Sequence, residues 1–356
     1  MIQRLAAVSW KVTAIGILAA GLAACGSNAA KPSDTAAPAG AGKEPAAPAA
    51  KSGYPERAVS IVAPSGAGGG WDMTARTIAK VLAESKAIDK PVTVENKPGG
   101  GGAVFLAEYA TKDVKDDYKL FVSSPPILIN HLKKEGNSPF GYNDTTPLAQ
   151  LTKDYGAVAV AADSKYKDLK SLLDDMKADP SKLTVAGGSA PGSMDHLVSI
   201  LPAFKYGIDP KKVKYVSYDG GGEAVTALLG GNANVLGTDA SSLDQYVKAG
   251  KIRILAVAAP SRLGGSLKEV PTMKEQGIDA EFLIWRGFFG PKNMSAGAKS
   301  YWEATIKKMV ESDVWKKEMQ ANNWETDYKK ADDFKAFLSQ QENQLKDMLT
   351  ALGMQK

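Results

Sequence analysis

Four clusters of glycine, at residues 66–70, 99–102, 187–192 and 220–222, each follow a short apolar run and precede a segment with helical spacing. A strand, a glycine turn and a helix in that order form the repeating unit of an α/β sheet with crossover helices. In open sheets of this kind the turns lie at the carboxyl ends of the strands, where ligands bind. Two clusters fall in the first third of the chain and two in the middle third, so two lobes facing a cleft are expected. Apolar, β-rich runs predict strands over 59–63, 92–95, 120–123, 157–161, 183–186, 213–217, 235–237, 252–258 and 282–285. Apolar positions at three- and four-residue spacing predict helices over 73–84, 104–110, 169–177, 194–206, 223–229 and 243–248. After residue 289 the pattern reads as helices only, over 298–312, 314–322 and 334–352. A parallel sheet is the expected core.

The first glycine loop, "PSGAGGGWDMTAR" at 64–76, offers backbone N–H groups at a helix start, which suits a phosphate or a carboxylate. A dinucleotide fingerprint fails, because its third glycine is Trp71, and a phosphate loop fails, because no lysine lies between the glycines and Lys80. A carboxylate remains, with hydroxyls nearby at Ser65 and Thr74. Asp72 reads first as a helix-start acid pairing with Arg76, and second as a ligand contact. Trp71 has polar neighbours and reads as a ligand wall, whereas Trp285 lies in the apolar run "FLIWRGFFGP" and reads as core.

The loop "GGSAPGS" at 187–193 comes close to a nucleophile elbow but has Pro191 where the last glycine is needed. Only His131 and His196 are present, and no histidine follows the second, so a serine hydrolase has no base in its usual order. Neither an enzyme, a metal site nor a cofactor is expected.

At the amino end Arg4 and Lys11 precede 13 uncharged residues at 12–24, too few for a membrane span of about 20 residues and the right length for a signal peptide. The segment "LAACG" resembles the lipobox of lipoprotein precursors, which makes Cys25, the sole cysteine, the lipid-bearing first residue of the mature chain. Residues 26–53 are rich in Ala, Pro, Gly and Ser and read as a tether spanning on the order of 30 Å. The body, 54–356, carries 39 Lys and Arg against 37 Asp and Glu, which gives no support for nucleic acid as a partner. A monomer is expected.

Tyr54-Pro55, Ala67-Gly68-Gly69 with Asp72 and Ala75-Arg76, "VTVENKPGGGG", "GGSAPGSMDHL", "ALLGGNANV", "GKIRILAV" and "VPTMKEQG", then Trp285 and Gly287 before Pro291, occur in order along the body. Together they resemble the substrate-binding proteins of tripartite tricarboxylate transporters, the Bug-type receptors. The resemblance implies a two-lobed, type II periplasmic-binding-protein fold of the flytrap kind, with lobe 1 formed by 54–155 and 259–356 and lobe 2 by 156–258. It implies a small di- or tricarboxylate, citrate-like by the glycine-tryptophan-aspartate form of the first loop, delivered to membrane permease subunits. By resemblance the ligand is held by Ser65, Gly66, Ala67, Gly68, Gly69, Gly70, Trp71 and Asp72 of the first loop and by Ser189, Gly192 and Ser193 of the second. Ser123, Ser124, Thr238 and Asp239 are further candidates. Two departures stand out: Trp71 replaces a residue that is often smaller, and Asp219 stands where lysine is common. The competing reading is a receptor presenting its ligand to a sensor kinase, with a hydrolase third.

Overall fold

A computed structural model describes residues 53–136 and 138–356; the signal segment, Cys25 and most of the tether lie outside them. Ten strands run β1 (Val59–Ala63), β2 (Val92–Asn96), β3 (Lys119–Ser123), β4 (Thr145–Ala161), β5 (Thr184–Gly187), β6 (Lys214–Ser217), β7 (Val235–Asp239), β8 (Ile252–Val257), β9 (Leu283–Pro291) and β10 (Glu325–Lys330). The helices are α1 (Gly70–Glu84), α2 (Ala103–Lys112), α3 (Pro126–Leu132), α4 (Leu169–Ala178), α5 (Met194–Lys205), α6 (Gly221–Leu229), α7 (Asp244–Lys248), α8 (Ala296–Glu311), α9 (Asp313–Asn322) and α10 (Ala331–Ala351).

The strand order is β2-β1-β3-β9-β4-β7-β5-β6, with β8 and β10 also pairing with β4. Strands β2, β1 and β3 are parallel, as are β6, β5 and β7. These are the stretches where strand, glycine turn and helix alternate, since only a crossover can return the chain for parallel pairing. The centre differs from the expected parallel sheet, because β9 pairs antiparallel with both β3 and β4, and β4 pairs antiparallel with β7, β8 and β10. The sheet is mixed.

Strand β4 is 17 residues long, although only its last five residues read as a strand from sequence. Its first part buries Gln150 and Thr152, polar residues that break the apolar pattern. Over Thr145–Tyr155 it pairs with β9, and from Gly156 onward with β7 and β8, so one strand is shared by two sheets. The expectation of helices only after residue 289 is corrected by β10, "ETDYKK", which pairs with β4 alone. An edge strand needs no buried face and gains from charge, so it carries no apolar alternation to read. Helix α3 was also not expected; Pro125 and Pro126 stand at its start, where a missing N–H costs nothing.

Helix α5 is buried along Met194 to Ala203 and packs on β4 and β7, so its first turn is held rigidly at the carboxyl ends of the strands. Around α1 the core is Ile61, Val81, Leu82 and Trp302, while Trp285, Phe289 and Phe334 pack edge-on or tilted beneath β9. Among the described residues no helix is long and apolar enough to cross a membrane.

Candidate functional site

Helices α1, α5 and α6 begin immediately after β-strand turns, and their first residues converge. The residues just before them are Gly69, Ser193 and Gly220, and none caps its helix with a side-chain hydrogen bond. Asp168, Ser295 and Ser312 cap α4, α8 and α9, while α2, α3, α7 and α10 also start without such a cap. The first N–H groups of a helix have no acceptor inside it, and the helix dipole adds partial positive charge there. Gly69, Gly70 and Trp71, Met194 and Asp195, and Gly220 and Gly221 bound a cavity completed by Ser65, Pro126, Gly188, Ser189, Thr238, Asp239 and Arg286. Three helix starts face this cavity, although in α5 the Asp195 N–H is already taken by Ser189 Oγ at 2.8 Å.

Glycine is needed here for close approach. Gly66 N–H donates to Asp219 O at 2.8 Å, joining the β1–α1 and β6–α6 loops. A Cβ on Gly69 would lie 3.0 Å from Gly221 N, and one on Gly188 would overlap that same nitrogen. The loops touch backbone to backbone.

Arg286, on β9, is 2 % exposed and faces this cavity. Its Nη2 lies 2.9 Å from Asp239 Oδ1, an ion pair whose alignment falls short of a hydrogen bond, so Nη2 has no hydrogen-bond acceptor among the described residues. The planar fork of a guanidinium matches two carboxylate oxygens. Behind it Asp154 accepts from Ser241 N–H at 3.1 Å and Tyr155 N–H at 2.7 Å; burial first, and then Asp239, raise its carboxyl above the usual range. Asp195, in the first turn of α5, accepts Gly188 N–H through Oδ2 at 2.6 Å, while Oδ1 has no partner among the described residues. Burial and Asp239 push this carboxyl up to about 7, against the Gly188 N–H and Arg286.

That elevation has a consequence for stability. A carboxyl raised in the folded protein binds its proton more tightly there than in the unfolded chain, so its contribution is present at low pH and is lost as pH rises through about 4 to 7.

Trp71 is buried, and its Nε1 donates to Ser124 Oγ at 2.9 Å. It lines the cavity and also a second space walled by Gly102, Phe105, Leu106 and Phe121. Trp71 is therefore the partition between a polar and an apolar chamber.

Of the residues named from sequence, Ser65, Gly69, Gly70, Trp71, Ser189, Thr238 and Asp239 line the cavity. Ser123 lines the apolar chamber, and Ser124 touches Trp71 from outside the cavity. Asp72 is turned to the loop itself. It accepts from Gly68 N–H at 3.0 Å, Arg76 Nε at 2.9 Å and Asn96 Nδ2 at 2.9 Å. Burial works against ionisation there, yet these three donors outweigh it and hold the carboxyl below its usual range. Gly66, Ala67 and Gly68 form the loop's outer turn, against residues 219–222. Gly192, with φ of 74°, donates its N–H to His196 Nδ1 at 2.8 Å and borders a different cavity beside Lys133. Ser193 is fully buried, with no hydrogen-bond partner for Oγ among the described residues, and lies outside the lining.

Arg286, Asp195, Gly188, Gly220, Gly221, Met194 and Pro126 were missed. Two carried a signal: Arg286 is the only charge in the run "FLIWRGFFGP", and a lone charge in a buried strand requires a partner or a ligand. The cluster at 220–222 stood out, but nothing in the sequence brought it against residue 69.

Residues 74–354 match the model of the tripartite tricarboxylate transporter family receptor, TctC. A UPF0065 protein from the gbd 5′ region of Cupriavidus necator is 29% identical over 306 residues, covering 85% of this chain and 90% of that protein. Protein BugT of Bordetella pertussis is 30% identical over 255 residues, covering 69% and 74%. Among solved structures, the periplasmic binding protein BugD superposes with a TM-score of 0.76 at 23% identity, over 85% of this chain and 100% of that one. MatC from Rhodopseudomonas palustris, with bound malate, gives 0.76's near equal, 0.73, at 21% identity over 84% and 99%. An R. palustris protein solved with adipate gives 0.76 at 22% identity over 85% and 99%. The fold is that of type II periplasmic binding proteins, a class of solute receptors. The chain belongs to the tripartite tricarboxylate transporter receptor family.

Proposed function

We propose that this receptor captures a small di- or tricarboxylate, citrate-like in form, and delivers it to the membrane permease of a tripartite tricarboxylate transporter. The observation that carries the reading is the meeting of the α1 and α6 starts, whose preceding residues offer no side-chain cap, at the buried Arg286, which is ion-paired with Asp239 and lines the same cavity. One ligand carboxylate takes the N–H groups of α1 and α6 and the Arg286 fork, exchanging its water shell for fixed donors. The malate and adipate held by two structural relatives are of the same class. We place the lobe division within β4 between Tyr155 and Gly156, where its partners change, with the return crossing near residue 258. Lipid on Cys25 would hold the body to the membrane by its tether.

A melting screen against four- to six-carbon acids tests the reading, since a ligand at 100 times its Kd adds about 2.7 kcal/mol of stability. At least one polycarboxylate is expected to raise the melting midpoint in a concentration-dependent way; no response to any carboxylate would sink the proposal. Trp71→Ala opens the partition to the apolar chamber, and is expected to weaken the preferred acid by about 1–3 kcal/mol and to narrow its lead over other chain lengths. An unchanged rank order and spacing would make Trp71 purely structural. Cys25→Ser removes the thiol needed for a thioether, and the variant is expected to leave the membrane fraction; its retention there would refute the anchor.

A further inference from the structure

We propose that the carboxylate enters this site together with one proton, which is taken from solvent by Asp195. The inference rests on the carboxylate reading and adds a partner to it. Asp195 sits 2 % exposed on the cavity wall, with Oδ2 held by Gly188 N–H and Oδ1 unpartnered among the described residues. An unpartnered oxygen on a buried carboxyl needs either a donor from the ligand or a proton of its own.

The surroundings decide between these. Facing Asp195 are Asp239 from β7, Arg286 from β9 and Tyr215 from β6. The Tyr215 hydroxyl is already committed to Ser189 O at 2.8 Å, so it offers Asp195 nothing. Arg286 is paired with Asp239, and Asp154 lies behind that pair, so among the described residues one cation serves three buried carboxyls. His196, next on α5, bonds Gly192 N–H and stacks on Tyr215; burial, with Lys133 nearby, lowers it to about 4, so it brings no positive charge at neutral pH. From α1 the cavity receives Gly70 and Trp71, which are uncharged. A dicarboxylate adds two more negative charges to this balance. Asp195 already stands at about 7 before those charges arrive, and like charge in a dry pocket raises it further. Protonated, Asp195 donates from Oδ1 to a ligand oxygen, which satisfies both groups and removes the repulsion. No bond other than this O–H forms, and the proton comes from water or buffer.

Calorimetric titration of the purified protein with malate, near pH 8 and in buffers of different ionisation heat, counts the protons bound. About one proton is expected per malate, with affinity falling close to tenfold per pH unit above about pH 8. Asp195→Asn supplies a permanent Nδ2–H donor. It is expected to bind malate without proton uptake, with affinity independent of pH, and more tightly than wild type at about pH 9. Binding to wild type without proton uptake would overturn the inference and leave the carboxylate reading standing; an ionised Asp195 accepting a ligand hydroxyl would give that result, with Asp195→Asn weaker at every pH. The wild-type titration decides even if the variant fails to fold. Absence of binding by every carboxylate would overturn both.

Discussion

Arg286→Met is expected to abolish carboxylate binding and to destabilise the protein by about 3–5 kcal/mol, the range for breaking one side of a buried ion pair. Among the described residues the guanidinium is the one cation beside Asp239, Asp154 and Asp195, so an apolar replacement of similar length leaves that group of carboxyls uncompensated. Protonation relieves such charge, and the deficit in urea unfolding is therefore expected to shrink on acidification from about pH 8 to pH 5. Arg286→Lys separates folding from recognition. It keeps the charge and loses the planar fork, so stability should stay within about 1–2 kcal/mol of wild type while affinity falls about 10- to 100-fold. If Arg286→Met folds stably and still binds the preferred acid with wild-type affinity, the arginine is a structural ion pair and the site lies elsewhere.

Gly188→Val is expected to cost at least about 100-fold in affinity with a much smaller effect on stability. Its Cβ would overlap Gly221 N across the cavity, a backbone atom that no rotamer change can move aside, so the overlap is relieved only by parting the β5–α5 and β6–α6 loops. Those loops carry two of the three helix starts that bound the cavity. Gly69→Val should be milder, since its Cβ would lie 3.0 Å from the same nitrogen, tight but within reach of a small shift. Gly192→Val is the control. Its φ of 74° makes any side chain strained by about 1–2 kcal/mol, but it borders the neighbouring cavity, so it should lower the melting midpoint and spare affinity. Calorimetry beside melting curves for the three variants gives the order; equal affinities for Gly188→Val and Gly192→Val would refute the placement of the cavity.

Legibility in the sequence follows the range of the forces involved. Strand β1 falls at 59–63 as read, and α5 within a residue of its expected end, because apolar periodicity and glycine turns are local signals. The capping arrangement of Asp72 is equally local, with Arg76 four residues away. Strand β10 escaped because an edge strand pays no penalty for charge, and the antiparallel centre because β4 carries buried Gln150 and Thr152 where a strand pattern expects apolar residues. The site was half legible. Its glycine loops announce an anion, but the cation that answers it, Arg286, is brought in by β9, more than 200 residues after the first loop. Asp195 drew no reading from the sequence; its unpartnered oxygen on the cavity wall is visible only in the fold.

The central claim is that fixed N–H donors and Arg286 recognise a carboxylate. Its most direct test is a calorimetric titration of the purified protein with each polycarboxylate and with the matched uncharged amide, same carbon skeleton and same length. Saturable binding of one acid per protein, with the amide failing to bind, is the expected result. Equal affinity for acid and amide, or no saturable heat from any acid, would contradict it.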